Sequence, residues 1–248
     1  MISQEHWSRY PYYSRDELML KNTINGLDKI LFDDIPKGSV ILVTGAEGTL
    51  KSGLVFSMMA NYISANDEHG LYVTLEQNID SHIRNMNSLG IREERGLHIF
   101  DYRDMRLEWM DSELDLIKTT EEVIDSYKEK YDNLTLFALD SLNALYSISD
   151  QGNMRNKIYN FFSHLRDEEL TSFLIMESAQ SRISGQFSSF HQVEHFLADG
   201  TIELGMIEGS GGVKRYIQIL KMRATKHAME KHQIIIGDNG LNILGPIY

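Results

Sequence analysis

The chain has 248 residues, 42% hydrophobic and 24% charged, enough for one large α/β domain or two small ones with a substantial core. Its formal charge of −12 argues against a surface that coats nucleic acid, because phosphate binding needs a positive footprint. The absence of cysteine excludes disulfides, thiolate zinc sites and cysteine nucleophiles together, and fits a reducing cytosol.

Residues 1–20, MISQEHWSRYPYYSRDELML, are aromatic and polar with no continuous apolar stretch, so they do not read as a signal peptide. No run approaches the roughly 18–20 apolar residues of a membrane span. The expectation is a soluble, cytoplasmic protein with an N-terminal arm over 1–21 and one domain over 22–248. Neither a linker nor an internal repeat interrupts that domain.

Short apolar runs then alternate with amphipathic stretches, the pattern of a mostly parallel central sheet with helices on both faces. Residues 39–44 (SVILVT) read as a buried strand, followed by a glycine-containing turn and a helix over 51–63. Strands are expected at 71–75, 97–100, 134–139 and 173–176, with a helix over 80–88. Leu114, Ile117, Ile124, Tyr127 and Tyr131 recur at near-helical spacing, predicting an amphipathic helix over 112–131. Met154, Ile158, Phe161, Phe162 and Leu165 mark the apolar face of the next helix. Residues 180–192 (QSRISGQFSSFHQ) read as a polar loop. The last quarter changes character: 201–207, 213–222 and 233–236 look like strands joined by tight turns, the first two through EGSGG at 208–212. Antiparallel C-terminal strands are therefore expected.

GAEGTLKS at 45–52 lies between a strand and a helix, the context of a Walker A phosphate loop. Backbone N–H groups there make an anion-binding nest at the positive end of a helix. Lys51 would reach the β/γ-phosphates and the Ser52 hydroxyl a Mg²⁺ ion. Leu50 stands where a glycine is usual, a position that costs on the order of 1–3 kcal/mol if the backbone must be left-handed. Asp140 ends an apolar strand, as a Walker B aspartate does from the strand beside the phosphate-loop strand. Glu76, closing LYVTLE, could polarise an attacking water. Taken alone, each of these carboxylates also reads as an ordinary strand-end residue.

With those residues on the page, the chain resembles the KaiC-like branch of the RecA superfamily. The resemblance runs from NGLDKILFDDIPKG at 25–38 through LYVTLEQ, SLG at 88–90 and Asp140-Ser141 to KMRATKH at 221–227 and IGDNGLNI at 236–243. It implies a RecA-like fold that binds ATP with Mg²⁺. Gly48, Thr49, Leu50, Lys51, Ser52 and Gly53 would surround the phosphates, with Ser88 and Asp238 nearer the nucleoside and Asp140 holding the metal with Ser52. Lys221, Met222, Arg223, Thr225 and His227 would belong to the segment that meets the neighbouring subunit's nucleotide. Lys221 and Arg223, two apart on a strand, would project from one face as cations supplied in trans. The family's adjacent glutamates appear here as Glu76-Gln77, a pair that also looks like the more distantly similar archaellum motor ATPase.

The expectation is a slow ATPase with sites at the interfaces of a homo-oligomer, a hexamer for preference, acting in regulation or signalling with room for a regulatory protein partner. Leu50 and Gln77 point instead to a nucleotide-gated scaffold or switch. A recombination-type DNA-binding ATPase is a third reading, with Phe187 and Phe190 as base-stacking residues, but Arg182 is the single basic residue of 180–192.

Overall fold

The computed structural model describes residues 18–102, 115–148, 154–178, 192–209 and 212–247. Strand β1 (Val40–Gly45) is buried along its whole length, and its side chains divide alternately between two apolar layers. Ile41 and Val43 pack into one layer with helix α1 (Lys51–Asn66), whereas Val40 and Leu42 pack into the other. A strand covered on both faces must be apolar at every position, which is why 39–44 reads as a continuous run.

The same division runs through β2 (His69–Thr74), β4 (Leu134–Asp140) and β5 (Thr171–Glu177). Tyr72, Leu136 and Phe173 join α1, Met86 of α2 (Ile79–Ser88) and the buried side chains of Leu20, Leu27, Leu31 and Ile35. On the opposite face, Val73, Phe137 and Leu174 meet α3 (Leu116–Lys130), α4 (Leu142–Ile148) and α5 (Met154–Asp167). Helix α3 starts where Asp115 caps it, its carboxylate accepting from the Ile117 and Lys118 amides. Residues 112–114 of the expected helix lie outside the described residues, as does the centre of the turn at 210–211.

One nine-stranded sheet results, in the order β3–β2–β4–β5–β1–β6–β7–β8–β9, with β3 (Leu97–Asp101) at an edge. Pairings from β3 to β6 (Gly200–Gly209) are parallel. Strands β6, β7 (Gly212–Met222), β8 (His232–Gly237) and β9 (Gly240–Pro246) form an antiparallel meander. The expected fold class is therefore the observed one.

Three features depart from the sequence reading. Strand β4 is not beside β1, because β5 lies between them, so Asp140 approaches the phosphate loop from the second strand over. Apolar runs announce strands but not their lateral order. Strand β2 stops at Thr74, which places Glu76 in the following turn, where the Thr74 hydroxyl caps the Gln77 amide. Strand β9 was not read because glycine, asparagine and proline break its apolar run; a two-residue Asp238-Asn239 turn pairs it with β8. Of the expected loop 180–192, only Gln192 is described, as the first residue of α6 (Gln192–Leu197). Arg182, Phe187 and Phe190 lie outside the described residues. No described helix is long and apolar enough to cross a membrane.

Candidate functional site

The loop after β1 is shaped first by lack of space. A Cβ on Gly45 would lie 2.1 Å from the Leu204 carbonyl oxygen of β6 and 2.9 Å from Thr49 Oγ1, so only glycine lets the strand turn there. Leu50 then enters α1 at φ 77° and ψ 23°, left-handed in a residue that carries a Cβ. That conformation costs roughly 1–2 kcal/mol. Its side chain packs against the layer around α1, which offsets part of the cost. The loop thus adopts the helix-entering turn with leucine where glycine was the expected residue.

Lys51, the first residue of α1, is only 7% exposed, and its Nζ donates to the Ala46 carbonyl at 2.8 Å. Burial pushes its ammonium below the ordinary lysine range, opposed in order by Glu177, Asp140, Glu76 and Glu47. Asp140 is 8% exposed. Burial raises its carboxyl, against hydrogen bonds from Ser52 and Tyr72 and the charge of Lys51. Tyr72 Oη donates to Asp140 Oδ2 at 2.7 Å. The next residue, Ser141, donates to Glu76 Oε1, and the Asp140–Ser141 peptide bond is cis. Lys51, Ser52, Asp140 and Glu76 therefore come together from the start of α1, the end of β4 and the turn after β2.

Several carboxylates here face one ammonium. An incoming phosphate chain would repel them unless a cation lay between. Ser52 and Asp140 supply hard oxygen donors, the chemistry that Mg²⁺ accepts. The residues fit a divalent cation.

On the other side of α1, Gly53 leaves room for Leu89, whose Cδ1 would lie 2.9 Å from a Cβ there. This packing closes the end of α2 onto the β8–β9 turn. Asn87 and Gly90, which flank Ser88, line a cleft of about 560 Å³ with Asp238, Asn239 and Gly240. Ser88 itself is exposed and bonds the Asn85 carbonyl. Gln77, beside Glu76, points its amide oxygen to Asn85 Nδ2.

Lys221, Met222 and Arg223 are not brought to this loop. Met222 pairs with Gly200, which pairs with Ile41, whereas the phosphate loop leaves β1 at Gly45. The intervening strand from Ile41 to Gly45 rises roughly 13 Å. Met222 is buried against Gly200, and both cations instead face the C-terminal end of α6. Lys221 Nζ donates to the carbonyls of Ala198 (2.5 Å) and His195 (3.1 Å). Arg223 reaches Asp199 Oδ1 at 3.1 Å and the Phe196 carbonyl at 3.2 Å. Asp199 also accepts from Arg166 and from the Val40 amide. Thr225 donates to the Asp34 carbonyl, and His227 bridges to Leu31.

The family described as "ATPase: KaiC" matches residues 20–247. The chain belongs to the KaiC family of ATPases. It is 28% identical over 231 residues to the circadian clock oscillator protein KaiC of Picosynechococcus and 29% identical over 235 residues to that of Nostoc. Each match covers 90% of this chain and 44% of the relative, so the chain spans under half the length of these relatives. A crystal structure of a KaiC-like protein from Pyrococcus horikoshii superposes with a TM-score of 0.75 at 25% identity, covering 90% of this chain and 97% of that one. KaiC membership implies nucleotide binding.

Within this KaiC domain, four contributors were not read from sequence. Tyr72 sits in an apolar run and carries no signal beyond its hydroxyl. Glu177 ends β5 as Asp140 ends β4, and that strand-end carboxylate was a usable clue. Arg215 donates to the Gly48 carbonyl, and Asp199 gathers two arginines; both contacts are long-range.

Proposed function

We propose that this chain binds ATP at the 45–52 loop and hydrolyses it slowly with Mg²⁺, at sites completed by a neighbouring copy. The observation that carries the reading is the convergence of Lys51, Ser52, Asp140 and Glu76, with Lys221 and Arg223 at the far end of β1. Gly48, Thr49, Leu50, Lys51, Ser52 and Gly53 cradle the phosphates through backbone N–H groups and the Lys51 charge. Ser52 and Asp140 hold Mg²⁺, whose chemistry is to neutralise phosphate charge. Glu76 orients the attacking water. Ser88 and Asp238 flank the nucleoside. Lys221 and Arg223, with Met222, Thr225 and His227 shaping their segment, serve the next subunit's phosphates.

In this reading the ATP-binding domain is 22–248, and residues 1–17 of the expected arm lie outside the described residues. The assembly is a cytoplasmic homo-oligomer, a hexamer for preference, with a regulatory role and a protein partner.

Lys51→Ala tests the core of the proposal. Losing a charge-assisted phosphate contact of roughly 1.5–3 kcal/mol should weaken ATP binding about ten- to hundred-fold in calorimetric titration. Equal affinities in wild type and variant would sink it. A nucleotide-gated switch with little hydrolysis is the second reading, favoured by Gln77, whose side chain is engaged with Asn85 and cannot serve as a base. Mg²⁺-ATP turnover separates the two: Glu76→Gln lowers turnover without affecting binding if the chain is an ATPase, and has nothing to lower if it is a switch.

A further inference from the structure

Tyr72 lies on β2, the second strand from one edge of the sheet and next to β4, with no accessible surface. Its ring is wedged edge-on against Phe56 of α1, with centroids 5.4 Å apart, and tilted against His82 of α2 at 4.7 Å. Packed that way, the phenol has one direction in which to point. It donates to Asp140 Oδ2 at 2.7 Å. Tyr72 therefore holds the carboxylate that would offer oxygen to a cation, from a position out of solvent.

We propose that Tyr72 is a positioning residue for the divalent cation and sets its identity. By occupying one lone pair of Oδ2, it disfavours capture of a cation by both Asp140 oxygens at once, and so favours Mg²⁺ over the larger Ca²⁺. This inference rests on the ATP-binding reading above. The physical reason is the difference in what the two ions ask of a carboxylate. Mg²⁺ accepts a near-ideal octahedron of single oxygens at about 2.0–2.1 Å. Ca²⁺ takes six to eight oxygens at about 2.3–2.6 Å, often both from one carboxylate. A carboxylate with one oxygen held by a buried hydroxyl suits the first ion and handicaps the second. The hydrogen bond also fixes the rotation of the Asp140 side chain, which a demanding octahedron needs more than a tolerant calcium shell does.

Tyr72→Phe removes the hydroxyl and keeps the ring that Phe56 and His82 pack against. The experiment uses full-length protein stripped of nucleotide and metal, titrated with a fluorescent ATP analogue in EDTA and then with Mg²⁺ or Ca²⁺. In EDTA the variant should bind the analogue within about twofold of wild type, because the phosphate loop is untouched. The Mg²⁺ concentration for half-maximal enhancement should rise about tenfold, the loss expected for one hydrogen bond to a charged group. The Ca²⁺ titration should stay put or move to lower concentration, so that discrimination between the ions falls. In an Asp140→Asn background, adding Tyr72→Phe should change neither titration, since the effect runs through that carboxylate. Equal shifts for both ions, an unmoved Mg²⁺ titration, or a further shift in the Asp140→Asn background would each overturn the proposal. So would a Tyr72→Phe chain that fails to fold, which would make the hydroxyl a structural tie. Wild type that binds no analogue under any condition would overturn the ATP-binding reading itself, an outcome distinct from all of these.

Discussion

Arg215 of β7 donates from Nε to the carbonyl oxygen of Gly48 at 3.0 Å, joining residues 167 positions apart in the chain. The bond fastens the tip of the phosphate loop to the antiparallel half of the sheet. The far end of the same strand carries Lys221, so one element connects the loop with the segment proposed to serve a neighbouring subunit. Arg215→Ala should leave the fold intact and weaken ATP binding about fivefold, the effect of one hydrogen bond of about 1 kcal/mol. Calorimetric titration beside an unchanged melting curve checks it.

The loop's glycine and its left-handed leucine should respond in opposite ways. Gly45→Ala drives a Cβ into the Leu204 backbone carbonyl, where no flexible side chain can yield. A loss of about 3 kcal/mol or more is expected, measured by denaturant titration. Leu50→Gly relieves strain of roughly 1–2 kcal/mol but gives up packing and adds unfolded-state freedom, so stability should change little. ATP binding should tighten, or turnover rise, as the loop gains freedom to close on phosphate. A weaker-binding Leu50→Gly chain would show that the leucine is part of the site's design.

Mixed assemblies test the assignment in trans. Subunits with Lys221→Ala and Arg223→Ala retain their own phosphate loop, which lies at the other end of β1. Subunits with Lys51→Ala retain the cations. Each type alone should be inactive, and co-assembly should restore partial turnover at interfaces that pair an intact loop with intact cations. Native mass spectrometry must confirm exchange. Absence of recovery in verified mixtures, or full activity of a monomer, would place the cations' role within one subunit.

His82 should make the domain acid-sensitive. It is buried against Phe56 and Tyr72, and burial alone depresses its pKa to about 4 from 6.5. The unfolded chain therefore takes up a proton that the folded chain refuses. Stability is whole above the unfolded value of 6.5 and falls as pH drops toward 4, by roughly 3 kcal/mol for this residue. His82→Leu should flatten that part of the profile, read as melting temperature against pH. An unaltered slope would assign the acid loss to other groups.

What the sequence could determine here is what is encoded locally. Gly45, Gly48, Lys51 and Ser52 stand in order between an apolar run and a helix, and the chain must turn there whatever surrounds it. Continuous apolar runs told of strands covered on both faces. The identity of the family was legible for the same reason, since its segments are short and follow one another. Strand order was not: nothing within 134–140 or 171–177 says that β5 must slip between β1 and β4, because lateral pairing is decided by crossovers and by what each helix can cover. Tyr72 in LYVTLE looks like any core aromatic until the fold lays its hydroxyl on Asp140. The Arg215–Gly48 bond and the gathering of Arg166 and Arg223 by Asp199 exist only because the meander returns alongside β1. Those contacts join residues far apart in sequence, and their energy arises only once the sheet has closed the distance, so tertiary structure alone decided them.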